Sequence, residues 1–249
     1  MSARPLKRIE REEVEQISNK KNKKCVITKR EHEFLTLFTY EIDNFDTWVL
    51  FSKTIPESLQ IDLKSQMFDD IWNVHPKEQD IIKMYGKDVK APRFNQMYGH
   101  SYRFSGLNHE ALPFSSFPHD FLSKLLEWCD EFLKNRGIAF DYDWEWGILV
   151  NWYDLNENHY IGPHSDKEKD LIPNSPIFGF SYGDARNFEL TPIDKEKKDD
   201  KLSIELTHNS VVIMGGTCQK THKHAVPKRK KKEGECGKRI NFTVRMFKK

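Results

Sequence analysis

The 249-residue chain is 37% hydrophobic and 31% charged, which is enough apolar content for one sizeable domain with a buried core. No apolar run approaches the ~20 residues of a membrane span, the opening MSARPLKRIEREEVEQ lacks the apolar stretch of a secretory signal, and four cysteines without a C-x-x-C pair exclude a disulfide framework or zinc ribbon. The net charge of +2 is uneven: ten Lys/Arg against two Glu in residues 227–249 give a local +8, leaving −6 on the other 226 residues.

An intracellular, monomeric protein with free thiols and no membrane partner is the expectation from these features. Residues 1 to about 28, including NKKNKK at 19–24, are charged and poor in apolar residues, and read as a flexible basic tail before a single domain over 29–249. EFLTLFTYEI (33–42) and TWVLF (47–51) read as strands. PESLQIDLKSQMFDDIW (56–72) predicts a helix with Pro56 in its first turn. FPHDFLSKLLEWCDEFLKNRG (117–137) predicts the clearest helix: Phe121, Leu125, Leu126, Cys129 and Leu133 form one apolar stripe, and Gly137 terminates it.

From about residue 144 the period changes to two. Short strands follow one another: WGILVNWY, IFGFSY, RNFELTPI, LSIEL, SVVIMGG, HKHAVP and RINFTVRMF, with DKEKKDDK (194–201) as a solvated hairpin loop. A helical first half before many short strands predicts an α+β fold, a β-sandwich or jelly roll with helices packed on one side.

Five places carry candidate chemistry. In GPHSDKE (162–168), His164 and Asp166 point to the same side of an extended chain, and histidine with carboxylate suits iron or zinc. In RINFTVR (239–245), Arg239, Asn241, Thr243 and Arg245 alternate with Ile240, Phe242 and Val244. Two arginines at the ends of one polar face suit a ligand with an anionic group at each end, although an ordinary half-exposed strand would look the same. Asn151 and Tyr153 of NWY share a face of another strand, and His222 and His224 of HKHAVP share a face of a third. The basic run PKRKKKEGECGKR (227–239), taken in isolation, reads first as a solvated loop, with a nuclear import signal or a phosphate-contacting patch as the alternatives.

Taken together, APRFNQMYG, YRFSG, NWY, GPHSDKE, SPIFGFSYGDARNFEL, SVVIMGG, HAVPK and RINFTVR, in this order over residues 80–247, resemble the AlkB family of Fe(II)- and 2-oxoglutarate-dependent dioxygenases, nearest to members preferring double-stranded DNA. The resemblance implies a double-stranded β-helix (jelly-roll) core over about 144–247 and a nucleotide-recognition part over about 80–115. It implies that His164, Asp166 and His224 hold Fe(II), that Arg239, with Tyr153 and Asn241, holds the distal carboxylate of 2-oxoglutarate, that Arg245 and Asn151 lie near its metal-bound end, and that Thr243 also belongs to the co-substrate site. The implied reaction is oxidative demethylation of N-alkylated bases in DNA, such as 1-methyladenine and 3-methylcytosine, on a base flipped from the duplex. Demethylation of RNA or single strands, and a catalytically silent nucleic-acid-binding protein, remain the alternatives.

On the substrate side the resemblance implies that Tyr102 and Phe104 line the base pocket, Glu168 reads the base edge, and Tyr85 fills the gap left in the stack. Arg229, Lys230, Lys231 and Lys232 fall where a duplex-binding member grips the opposite strand, with nuclear localisation expected in a eukaryote. Three positions depart from the pattern: His222 stands where an aromatic is usual, Lys167 where an acidic residue is common, and Asn209 at a turn position commonly Gly.

Overall fold

The computed structural model describes residues 25–32, 35–42, 47–84, 86–104, 107–166, 169–195 and 201–249. Strands β1 (Cys25–His32), β2 (Leu35–Ile42) and β3 (Thr47–Ser52) precede helix α1 (Gln66–Asn73). Six short strands follow: β4 (Ile81–Met84), β5 (Lys87–Lys90), β6 (Phe94–Tyr98), β7 (Tyr102–Phe104), β8 (Leu107–His109) and β9 (Ala111–Leu112), then helix α2 (Phe121–Asn135). The second half holds β10 (Trp144–Asp154), β11 (Ile161–His164), β12 (Ile177–Gly183), β13 (Arg186–Pro192), β14 (Leu202–Leu206), β15 (Ser210–Gly216), the single-turn α3 (Cys218–Thr221), β16 (His222–Val226) and β17 (Lys238–Lys248). β1 begins inside the expected tail, so residues 25–28 belong to a strand, and residues 1–24 lie outside the described residues.

The strands form a nine-stranded sheet ordered β1-β2-β3-β15-β12-β17-β10-β6-β9 and a four-stranded sheet ordered β11-β16-β13-β14. This is a jelly-roll core with helices added. One apolar cluster joins the outer face of the large sheet to the helices: Ile240, Phe242, Val244 and Met246 of β17 pack with Phe121, Leu125 and Cys129 of α2 and Phe68 and Ile71 of α1. A second lies between the sheets, with Phe188, Leu190, Ile204, Val212, Met214 and Val226. β17 is therefore covered on both faces. Its apolar residues meet the helices, and its polar residues face the space between the sheets, so it is not the half-exposed strand that its alternation alone allows.

α2 begins at Phe121, not at Pro118, because His119 and Asp120 have φ of 61° and 51°, outside the helical region. Of its stripe Phe121, Leu125, Cys129 and Leu133 are buried and Leu126 is half-buried, and Gly137, at φ 61°, ends it. The single helix expected over 56–72 is instead a 3-10 turn at Glu57–Leu59 and a separate α1 capped by the Ser65 hydroxyl, which accepts from the Phe68 N–H. The break has a tertiary cause. The Asn209 side chain binds Ile61 through both its N–H, at 3.1 Å, and its carbonyl, at 3.3 Å, leaving neither group for a helix. Asn209 holds φ 56°, a conformation asparagine tolerates, so its departure from Gly leaves the turn intact.

Candidate metal and dicarboxylate site

The site forms where β11 and β16 of the small sheet face β10 and β17 of the large one. In the antiparallel pairing of β11 with β16, His164 lies opposite His224. Asp166 follows two residues after the end of β11, where the Ser165 hydroxyl donates to the His222 carbonyl at 2.7 Å and the Asp166 N–H donates to Gln219 Oε1 at 2.9 Å. These bonds hold the carboxylate against the two imidazoles: Asp166 Oδ1 is 3.6 Å from His164 Nε2 and 3.9 Å from His224 Nε2. The three ligand atoms lie within 4.8 Å of one another, the one such grouping of three His, Cys, Asp or Glu among the described residues.

Each donor is fixed in the form a metal requires. His164 Nδ1 lies 2.9 Å from the Gly162 carbonyl, which places its proton there and presents Nε2 as a lone pair. Burial holds the His164 and His224 imidazoles below their ordinary pKa, His224 at about 3, so both are neutral near pH 7. Burial alone would raise the Asp166 pKa, but Arg245 and the two imidazoles outweigh it and keep the carboxyl ionised far below its usual range. Arg245 donates Nε and Nη2 to the same oxygen, Asp166 Oδ2, at 3.0 and 2.8 Å, which leaves Oδ1 turned toward the histidines.

At the other end of the same pocket stands Arg239, 1% exposed. Its Nη2 donates to Ser181 Oγ at 3.0 Å, and its guanidinium lies 4.9 Å from the centre of the Tyr153 ring. Its Nε and Nη1 have no hydrogen-bond partner among the described residues. Burying a charge costs several kcal/mol unless it is paired, so this end of the pocket is built for an anion. Asn241 is oriented between the arginines: its Nδ2 donates to the Phe180 carbonyl at 2.8 Å, and its Oδ1 accepts from Thr243 Oγ1 at 3.0 Å. Asn151, Tyr153, Arg239, Asn241, Thr243 and Arg245 all line the pocket that holds the three metal donors. A carboxylate chelate on a His-Asp-His metal and a second carboxylate on Arg239 match the two ends of 2-oxoglutarate.

The model of the 2OG-Fe(II) oxygenase superfamily matches residues 49–245. This chain belongs to that superfamily. Its cofactors are Fe(II) and 2-oxoglutarate, and the donor set and arginine clamp fit both. Among curated proteins, the chain is 29% identical over 172 residues to the mouse DNA oxidative demethylase ALKBH2, covering 66% of this chain and 65% of that one. It is 27% identical over 205 residues to the Arabidopsis thaliana ALKBH2, covering 74% and 62%. To the human alpha-ketoglutarate-dependent dioxygenase alkB homolog 3 it is 31% identical over 146 residues, covering 56% and 47%. The chain thus spans less than two thirds of the length of these relatives, which are what it is similar to within the superfamily.

Not every expected residue behaves alike. His222 is buried on the strand face that carries His224, but its Nδ1 lies 2.8 Å from the Thr221 hydroxyl and it is not part of the metal grouping. Arg229 is not available to phosphate. Nε and Nη2 donate to the Ala185 carbonyl at 3.1 and 2.6 Å, Nη1 and Nη2 to the Glu235 carboxylate at 2.7 Å each, and Nη1 to the Lys230 carbonyl at 2.9 Å. Lys230, Lys231 and Lys232 are exposed. The backbone of Tyr102 and Phe104 lies in β7, paired with β8, and their side chains fall outside the described residues, as do Tyr85, Lys167 and Glu168.

Two arginines were missed by sequence reasoning. Arg93 lines the pocket and donates Nε to Asn151 Oδ1 at 2.7 Å. Arg186, 1% exposed, has its guanidinium 5.8 Å from the centre of the Tyr153 ring and donates to the His159 and Pro227 carbonyls at 3.0 and 2.6 Å. Burial, then the charge of Arg239, lowers its pKa to about 10, so it stays protonated and makes this end of the pocket more positive. A single arginine in a strand-like stretch carries no periodic signal that separates it from a surface residue.

Proposed function

We propose that the protein carries out oxidative demethylation of N-alkylated bases in DNA, 1-methyladenine and 3-methylcytosine being the lesion type, with duplex DNA preferred over single strands. The observation that carries the reading is the buried Arg239, two of whose N–H-bearing nitrogens have no partner among the described residues, in the lining of the pocket that also holds His164, Asp166 and His224. A protein with a vestigial metal site has no use for a dicarboxylate clamp of this kind. The names of the ALKBH2 relatives, which specify DNA oxidative demethylation, support the substrate class.

In this reading His164, Asp166 and His224 hold Fe(II), and Arg239 with Tyr153 holds the distal carboxylate of 2-oxoglutarate. When bound, the pair supplies the oxidation by which O2 converts 2-oxoglutarate to succinate and CO2 and an N-methyl group to N-hydroxymethyl, which leaves as formaldehyde. The protein's own work is positional. Arg245 keeps the metal-facing oxygen of Asp166 fixed, the Gly162 carbonyl keeps His164 in one tautomer, and Leu149, Ile177 and Phe188 of the pocket wall keep bulk water out. A base inside a duplex is beyond reach of this buried centre, so the nucleotide has to be flipped out. Tyr102, Phe104 and Glu168 are the residues we assign to receiving it, with Tyr85 filling the vacated stack.

The test is formaldehyde and succinate release from matched single- and double-stranded oligonucleotides bearing 1-methyladenine or 3-methylcytosine, with Fe(II) and 2-oxoglutarate supplied. Release from both, faster from duplex, is expected. Release only from single strands or RNA would move the substrate to that class, and no succinate under any condition would leave a silent binding protein.

A further inference from the structure

The loop between the metal-ligand strand β16 and the co-substrate strand β17 carries the local basic charge, and it is not a loose charged tether. Its tip is a tight turn: the Glu235 N–H donates to the Lys232 carbonyl at 3.3 Å, with Gly234 at φ 80° in the third position, where only glycine sits without strain. Inside the turn Glu235 acts as a hub. Its carboxylate takes both forks of Arg229 at 2.7 Å and the backbone N–H of Lys232 at 2.6 Å.

The hub is seated on the turn between β12 and β13. Arg229 reaches the Ala185 carbonyl, the Asp184 carboxylate accepts the Cys236 and Gly237 N–H groups at 3.2 and 2.6 Å, and Arg186 holds the Pro227 carbonyl at 2.6 Å. The platform itself has little freedom. Gly183 is at φ 92°, and a Cβ there would fall 2.2 Å from the Lys238 carbonyl, so the turn sits directly against the start of β17. Lys230, Lys231 and Lys232 are exposed, Lys231 with its stem beside Gly237, while all five N–H groups of Arg229 are engaged within the frame.

We propose that Glu235, an acidic residue in a basic loop, is a positioning residue for nucleic acid: by clamping Arg229 and the Lys232 backbone it presents the three lysines as a preformed phosphate-binding row. This rests on the nucleic-acid reading above and deepens it. Without the clamp the same lysines would be present but would have to be ordered on binding, which lowers affinity.

The inference makes a prediction opposite in sign to net charge. Glu235→Ala and Glu233→Ala each remove one negative charge from the same loop, but Glu233 is exposed and has no part in the clamp. If charge alone mattered, both variants would bind duplex more tightly. The preformed row predicts that Glu233→Ala lowers the duplex KM by about twofold, whereas Glu235→Ala raises it about five- to tenfold and flattens its salt dependence by about one unit of slope. In Glu233→Ala kcat on a short methylated single strand should match the wild type. Arg229→Lys should resemble Glu235→Ala, since an ammonium cannot replace the fork.

Equal effects of Glu235→Ala and Glu233→Ala on duplex KM and salt slope would overturn the proposal. A readout free of nucleic acid separates this from a failure of the functional reading. In the wild-type protein alone, the Lys232 and Gly237 amides should exchange slowly with solvent, and Lys232 should lose protection in Glu235→Ala. Fast exchange of both in the wild type would also overturn the preformed loop, whereas absence of formaldehyde from any substrate would sink the demethylase reading instead.

Discussion

Replacing Arg239 by methionine should have opposite effects on co-substrate use and on the stability of the ligand-free protein. Arg239 is 1% exposed, shares one hydrogen bond with Ser181, and leaves Nε and Nη1 without a partner among the described residues. Loss of a buried, charge-paired partner costs about 2–5 kcal/mol, which corresponds to a rise of roughly 30-fold to several thousand-fold in the 2-oxoglutarate requirement. In the absence of co-substrate the same guanidinium is an uncompensated charge, and an apolar side chain of similar length in its place is neutral or stabilising by about 1–4 kcal/mol. Thermal unfolding under argon with Fe(II) reads both. Wild type with 2-oxoglutarate at a hundred times its Kd should gain about 2.7 kcal/mol, a Tm rise of roughly 5–10 °C. Arg239→Met should start at or above the wild-type Tm and show no such rise, and Arg239→Lys should recover only part of it. A wild-type 2-oxoglutarate requirement in both variants, or a large Tm loss in the ligand-free Met variant, would refute the clamp.

Two further outcomes concern the metal end. Asp166→Ala should abolish succinate formation while circular dichroism stays native, and His224→Ala should be far more damaging than His222→Ala, because His222 lies outside the donor grouping; the reverse order would exchange the two histidines. Arg245→Leu should weaken Fe(II) binding by about 10–100-fold, measured by metal titration, because it frees the Asp166 oxygen that two guanidinium nitrogens now hold. A change confined to the 2-oxoglutarate KM would instead assign Arg245 to the co-substrate.

The chemistry was legible where residue type and period coincide. The alternating R-x-N-x-T-x-R of β17 stands on regular extended chain, so its shared face follows from spacing alone, whereas Asp166 lies two residues beyond β11 and is brought to the histidines by the bonds of Ser165 to His222 and of Asp166 to Gln219. What spacing could not show depends on contacts distant in sequence. The break in the helix expected over 56–72 is made by Asn209, 148 residues away from Ile61. The removal of Arg229 from the phosphate-contacting set is made by the Ala185 carbonyl, 44 residues away, and by Glu235, six residues on, which a charge count registers only as one negative unit. His222 and His224 were indistinguishable by alternation, because both point to the same face; only the position of Asp166 beside His224 separates them.

β17 explains why this fold can carry so much buried charge. Arg239 and Arg245 are both nearly inaccessible, and holding them there is unfavourable unless each has a counter-charge. Arg245 has one within the protein, Asp166; Arg239 has none among the described residues, and its counter-charge is assigned to the co-substrate. The opposite face of the same strand offsets that deficit: Ile240, Phe242, Val244 and Met246 are each fully buried against the helices, worth about 1.5–3 kcal/mol per side chain. The helices are thus more than a covering for the sheet. By fixing the apolar face of β17 they fix, one residue out of step, the two arginines that line the pocket, so loosening α2 should disturb co-substrate binding before it disturbs His164 on β11, His224 on β16 and Asp166 just beyond β11.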